Sequence, residues 1–289
     1  MAEVIRVGLG ERAYDIVIGS GVRERAAELQ GRLFLVTDSR VKELYGGWAA
    51  ARFPAEDSFV FPAGEGSKNF LTVEAICRAA ARARFDRKAC FVALGGGVTG
   101  DMTGFAAAIY MRGVDFLQIP TTLLAMVDSS VGGKTGVDLP EGKNLIGAFH
   151  QPKLVLIDLD FLDTLPEREI RCGLAEIIKT GVILDAELFA SLEENSASLV
   201  GRIDPARYAK IIRRCCELKA GVVEADEREA GLRAILNYGH TFGHAVEALS
   251  GFSISHGEGV AIGMSAAAEL AVARGSLTRA EAERQKRLL

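Results

Sequence analysis

Residues 91–101 read FVALGGGVTGD: four apolar residues, three consecutive glycines, and a further glycine at Gly100. An apolar run that short, passing through glycine into the helical spacing of Val98 to Tyr110, reads as a buried strand turning into a helix. The spacing satisfies G-x-G-x-x-G, so bare backbone can approach a pyrophosphate at the helix N-terminus. A tight turn without a ligand would show the same glycines. One feature departs from the dinucleotide fingerprint. The acidic residue that ends a strand, Asp38, precedes the glycine loop, where the standard order places it about twenty residues after.

Outward from this turn, short β-rich runs alternate with helical patterns. Val4 to Val7 and Tyr14 to Ile18 suggest an opening hairpin, and Leu33 to Thr37, Ser58 to Phe61, Phe91 to Leu94 and Phe116 to Ile119 suggest strands. Helical spacing covers Gly21 to Gln30, Asn69 to Arg84 and Val98 to Tyr110. That alternation predicts an α/β domain with a mostly parallel sheet and helices on both faces. After Phe161 to Pro166 the strand signals stop, so an α/β nucleotide-binding domain over 1–165 and an all-helical domain over 166–289 are expected.

The chain has 289 residues, 49% of them apolar and 25% charged, with a net charge of −4. This composition is that of a soluble globular protein and carries no electrostatic footprint for nucleic acid. No secretory signal opens the chain, and Gly259 to Ala273 is too short and too rich in small residues for a membrane span. A cytoplasmic protein acting on a small molecule is expected. The five cysteines show no C-x-x-C spacing and fit reduced thiols.

Three of the four histidines fall within Asn237 to His256. On a helix over Gly239 to Leu249, His240 and His244 share one face, and spacing alone would pair them as metal ligands, with His256 after a Ser/Gly-rich turn. A single histidine is more often a surface or core residue; clustering weakens that reading. Thr241 excludes the His-Glu-x-x-His of metallopeptidases. A carboxylate should complete the set. Glu176, flanked by Leu174, Ile177 and Ile178, is the candidate, and an internal ion pair with Lys179 is the alternative.

Gly64 to Lys68 is a glycine turn compatible with a ribose or phosphate contact, or simply with a solvated helix start. Thr121 and Thr122 follow a strand at its carboxyl end, where open α/β sheets place ligands. Gly132-Gly133-Lys134-Thr135 suggests a P-loop, but that motif would need glycine where Asp128 stands. Asp128, Lys134, Lys143 and Asn144 fall within seventeen residues of glycine-rich chain that reads as a polar loop. Lys219, on the edge of an apolar helical stripe, with Arg233 and Asn237, points to a substrate bearing phosphate, carboxylate or both.

GGGVTGD at 95–101, YMRG at 110–113, PTTLLAMVDSSVGGKTGVD at 120–138, GKNLIGAFHQP at 142–152, LAEIIK at 174–179 and NYGHTFGHAVE at 237–247 together closely resemble the 3-dehydroquinate synthase family of sugar phosphate cyclases. The resemblance implies NAD, one divalent metal, usually zinc with cobalt possible, and a homodimer. It places the metal on Glu176, His240 and His256, which overrides the spacing-based pair, and makes His244 a substrate-side acid/base. Lys179, Asp128, Lys134 and Glu176 join the catalytic set. NAD contacts are implied for Asp38, Glu65, Lys68, Gly95, Gly96, Gly97, Asp101, Thr121, Thr122 and Thr164. Substrate contacts are implied for Lys143, Asn144, Lys219, Arg233 and Asn237, with Arg112 reaching across from the partner subunit.

The implied reaction turns 3-deoxy-D-arabino-heptulosonate 7-phosphate into 3-dehydroquinate and phosphate by transient oxidation, β-elimination, reduction and aldol closure. The family usually continues past residue 289 with a further phosphate-binding lysine, so a truncated or inactive homologue is one alternative. A polyol dehydrogenase of the glycerol type and another sugar phosphate cyclase are the others.

Overall fold

The structure, a computed structural model, describes residues 2–28, 31–201, 203–251 and 253–289. The chain divides into two compact units, Met1–Phe161 and Leu162–Leu289. The division falls inside a 3-10 helix, Leu159–Thr164, slightly ahead of residue 165.

The first unit holds strands β1 (Glu3–Val7), β2 (Tyr14–Gly19), β3 (Leu33–Asp38), β4 (Ser58–Phe61), β5 (Cys90–Gly95), β6 (Asp115–Pro120), β7 (Lys134–Leu139), β8 (Gly142–Phe149) and β9 (Leu154–Asp158). Its α-helices are α1 (Ser39–Ala50), α2 (Phe70–Arg82) and α3 (Gly97–Ile109). Seven strands form one sheet in the order β1-β2-β9-β6-β5-β3-β4. β1 pairs antiparallel with β2, and every other pairing in this sheet is parallel.

In β5 and β6 every residue after the first is buried, the pattern of central parallel strands covered on both faces. Phe34, Phe91, Phe105, Phe116, Val73, Ile76 and Met102 form the core between sheet and helices. Each such side chain contributes about 1.5–3 kcal/mol by leaving water.

The expected hairpin and strands are present, with ends shifted by a residue or two. Other expectations need correction. Residues 22–28 form a 3-10 helix in place of the expected helix from Gly21, and Leu29 and Gln30 lie outside the described residues. α1 was not expected; Gly46 and Gly47 dilute its apolar stripe, and the Asp38 side chain starts it by capping the amides of Arg40 and Val41. β9 was also missed.

The polar loop expected over 128–144 is mostly ordered. A π-helix, Ala125–Ser129, leads into the antiparallel β7–β8 hairpin, with a bulge between Val137 and Leu139. Its glycines had suggested loop. In the hairpin they mark close strand approach instead: a Cβ on Gly136 would stand 2.5 Å from the Ile146 carbonyl oxygen.

The second unit is helical among its described residues: α4 (Glu167–Leu184), α5 (Ala186–Asn195), α6 (Pro205–Ala225), α7 (His240–Leu249), α8 (His256–Ala273) and α9 (Arg279–Leu288). No helix among the described residues is long and apolar enough to cross a membrane. Gly239 and Gly243 on the α7 side face Gly263 and Gly259 on α8, so the two helices run antiparallel with their backbones nearly touching. Phe252, in the turn between them, lies outside the described residues.

Candidate functional site

In the sheet unit, Gly95 ends β5 and Gly96 is the N-cap of α3, with no side chain bonding the first amides of that helix. Thr121 follows β6 directly, and its amide donates to the Gly95 carbonyl at 2.9 Å. The Thr122 side chain lies where a Cβ on Gly96 would meet it at 3.1 Å. A strand end, an uncapped helix start and two threonines form a cradle of the kind that fits a pyrophosphate. Asp38 stands nearby through the Thr99 hydroxyl, which donates to its Oδ2 at 3.4 Å, while its Oδ1 is committed to capping α1.

The same unit gathers a second group of predicted residues. The Lys68 ammonium lies 2.6 Å from Asp101 Oδ2 and donates to Asn144 Oδ1 at 2.6 Å. Lys143 faces Glu65 at 3.8 Å. Burial alone would lower the Lys68 pKa, but Asp101 and Glu65 more than reverse it and keep the ammonium charged. Burial raises Asp101 despite Lys68, and raises Glu65, which also faces Asp138. Sequence reasoning passed over Asp138. Its Oδ1 accepts the Asn144 amide at 2.8 Å, and its own amide donates to the Lys68 carbonyl at 2.9 Å, pinning the hairpin to the Lys68 loop.

Asp128 sits within the π-helix, a geometry frequent at functional positions. Lys134 opens β7 and is exposed. Arg112 is exposed too, in a left-handed conformation at φ 69°, and Asn144 at φ 56° and Glu229 at φ 59° share that uncommon region. Thr164 is exposed at the end of its 3-10 helix, in the second unit.

The second cluster belongs to the helical unit. Cys172, Glu176 and Lys179 lie along one side of α4. The start of α8 docks against Cys172, since a Cβ on Gly257 would stand 2.5 Å from its Cα and its carbonyl oxygen. The Gly257 amide donates to Cys172 Sγ at 3.2 Å. His256, one residue earlier, thereby arrives over Glu176, with Nε2 3.3 Å from Oε1. His240, the first residue of α7, brings its Nε2 to 3.6 Å from the same oxygen. Lys179 pairs with the other carboxylate oxygen of Glu176. The ion pair with Lys179, one of the two sequence readings of Glu176, is thus present, and both imidazoles stand at Oε1 of the same carboxylate.

Donor atoms of Glu176, His240 and His256 all lie within 4.8 Å of one another. One carboxylate and two imidazoles make a fitting set for a zinc-like cation and leave a position open for substrate. His244 is exposed, with its ring centroid 5.4 Å from that of His240 and 6.1 Å from that of His256. It falls in a second grouping, with Glu247 and His256. Burial pulls the His256 pKa down, but Glu176 and Glu247 reverse this and lift it to about 9.

Lys219 and Arg233 are 9% and 2% exposed, deep for cations. Arg233 Nη1 donates to the Glu227 carbonyl at 2.5 Å, and its amide donates to Asp226 Oδ2 at 3.0 Å. Asn237 is exposed, and its side-chain amide donates to Glu229 Oε1 at 2.7 Å. Sequence reasoning missed Glu229 and Glu247; the three-residue step from His244 to Glu247 on one helix face was the available signal for the second.

Comparison with known proteins bears on both clusters. Residues 58–172 match the family model for the 3-dehydroquinate synthase N-terminal region, and residues 173–289 match that for its C-terminal region. A 3-dehydroquinate synthase from Nostoc punctiforme is 49% identical over 306 residues, covering 100% of this chain and 83% of that protein. Among solved structures, the 2-epi-5-epi-valiolone synthase ValA from Streptomyces hygroscopicus subsp. jinggangensis, with NAD+ and Zn2+ bound, is 38% identical with a TM-score of 0.87, covering 95% of this chain and 80% of that one. A 2-deoxy-scyllo-inosose synthase complexed with carbaglucose-6-phosphate, NAD+ and Co2+ is 28% identical with a TM-score of 0.88, covering 99% and 81%. With residues 58–289 matched and a relative 49% identical across the whole of this chain, the chain belongs to the 3-dehydroquinate synthase family.

Proposed function

We infer that the chain converts 3-deoxy-D-arabino-heptulosonate 7-phosphate into 3-dehydroquinate and phosphate, as a cytoplasmic homodimer of the shikimate pathway. The observation that carries this reading is the convergence of Glu176, His240 and His256, with Lys179 on the same carboxylate, in a chain of this family. The NAD+ and Zn2+ or Co2+ named with its structural relatives support NAD and a divalent cation here, and the donor set favours zinc. When bound, the cation supplies Lewis acidity and NAD takes up and returns a hydride.

Glu176, His240 and His256 would hold the cation. Lys179, ion-paired with that carboxylate, would stabilise negative charge developing on a substrate oxygen there. His244, exposed one turn after His240, moves a proton at the substrate. In the helical unit Arg233, Lys219 and Asn237 suit a substrate carboxylate, and in the sheet unit Lys143, Asn144, Lys134 and Asp128 suit hydroxyl and phosphate groups. Arg112 would come from the partner subunit. Asp38, Glu65, Lys68, Gly95, Gly96, Gly97, Asp101, Thr121, Thr122 and Thr164 would hold NAD.

The test is phosphate release from 3-deoxy-D-arabino-heptulosonate 7-phosphate with NAD and zinc, with and without chelator, while following NADH absorbance. Chelator-sensitive release without accumulating NADH is expected. NADH accumulating with a polyol substrate, and no phosphate release, would replace the cyclase with a dehydrogenase.

A further inference from the structure

Glu247 lies outside every assignment above. It sits on α7, on the face that α8 covers, and is 1% exposed. A carboxylate that deep between helices is costly unless a donor faces it. What faces it is His256, whose Nδ1 is 3.1 Å from Glu247 Oε1 while Nε2 of the same ring stands 3.3 Å from Glu176 Oε1. One imidazole is thus held between two buried carboxylates, and only one of them belongs to the proposed ligand set.

The surroundings make this arrangement specific. Gly259 makes room for it, since a Cβ there would stand 2.8 Å from Glu247 Cγ and 2.9 Å from Oε1. The backbone of His256 is held by the Ser255–Glu258 capping box on one side and the Gly257–Cys172 contact on the other. Ring orientation is the freedom left, and Glu247 limits it. At the other ligand imidazole, His240 Nδ1 stands 3.3 Å from a backbone carbonyl, that of Tyr238.

We propose that Glu247 is the positioning residue of the metal centre, accepting the Nδ1–H of His256 so that the Nε2 lone pair is presented to the cation with added donor strength. This rests on the ligand set of the proposed function. Removing such an outer partner typically weakens metal binding roughly 10–100-fold.

The test titrates zinc alone into the metal-stripped chain against a chromophoric chelator. Glu247→Gln keeps the shape and removes the charge, and is expected to bind one zinc per chain roughly 10–100-fold more weakly while still unfolding cooperatively in chelator. His240→Ala should lose zinc far more completely; if it binds like the parent, the ligand set itself is wrong. Nitrogen-15 spectra of the zinc-loaded parent should show the His256 proton on Nδ1, a readout that does not require any variant to fold. Three results would overturn the proposal: Glu247→Gln binding zinc within twofold of the parent, a proton on Nε2 of zinc-loaded His256, or a second zinc per chain that is lost in His244→Ala. The last would make Glu247 a ligand in its own right.

Discussion

The two units organise charge in opposite ways. In the sheet unit the ions pair with one another: Lys68 with Asp101, Lys143 with Glu65, and Asp138 ties the hairpin amide at Asn144 to the Lys68 loop. In the helical unit the groups converge, with two imidazoles aimed at one oxygen of Glu176. The first arrangement presents a finished surface, shaped by backbone and strand ends. The second is a set of donors around a point, which a cation would complete.

The largest effect separates them outright. Glu176→Ala or His240→Ala should lower turnover about 10,000-fold or more, since several kcal/mol of Lewis acidity goes with the cation. NAD binding should persist. Metal content and equilibrium binding of NAD check both halves of that statement; loss of NAD affinity alongside zinc would break the comparison.

Lys68→Ala should instead cost stability, about 3 kcal/mol, because it leaves Asp101 largely buried without its ammonium. Urea unfolding would measure it. The double change with Asp101→Ala should recover part of the loss.

Gly243→Ala sharpens the contrast further. The added Cβ would stand 2.8 Å from the Gly259 carbonyl oxygen, which is backbone and cannot swing away, so α7 and α8 must separate at a cost of about 2 kcal/mol and with weakened zinc binding. Gly97→Ala in the sheet unit meets the Ser129 hydroxyl at 3.0 Å, a side chain able to rotate, and should cost less. Equal losses in thermal unfolding would contradict this account.

The smallest effect concerns pH. The amides of Arg233, Ala230 and Gly231 hold the Asp226 carboxyl below the ordinary carboxylate range. A lowered folded pKa means that its contribution is present at neutral pH and is lost as pH falls below about 4. Asp226→Ala should therefore be less stable than the parent at pH 7, with the two unfolding curves converging in acid.

What could be read from residues 91–101 and their flanks follows from local chemistry. Short apolar runs bounded by turn residues read as buried strands, and β5 and α3 fall where that pattern put them. α1 and the β7–β8 hairpin were not legible because their glycines imitate loop, when in the hairpin they serve close strand approach. In the metal cluster, spacing singled out Glu176 and His240 but paired the latter with His244, its neighbour one turn on. His256 became a ligand only through resemblance, and Glu247 stood at the end of the NYGHTFGHAVE motif with no role given to it.

The sequence by itself determined the fold class and the residue types available for the chemistry, because burial pattern, glycine punctuation and donor identity are local properties. Only the tertiary structure decided which imidazole faces Glu176. That depends on the near-contact of Gly243 with Gly259 and of Gly257 with Cys172, which sets the axial offset of α8 against α7 and α4. Helix periodicity ranks neighbours along one helix; it carries no information about the offset between helices, and that offset is what brings His256 to the carboxylate.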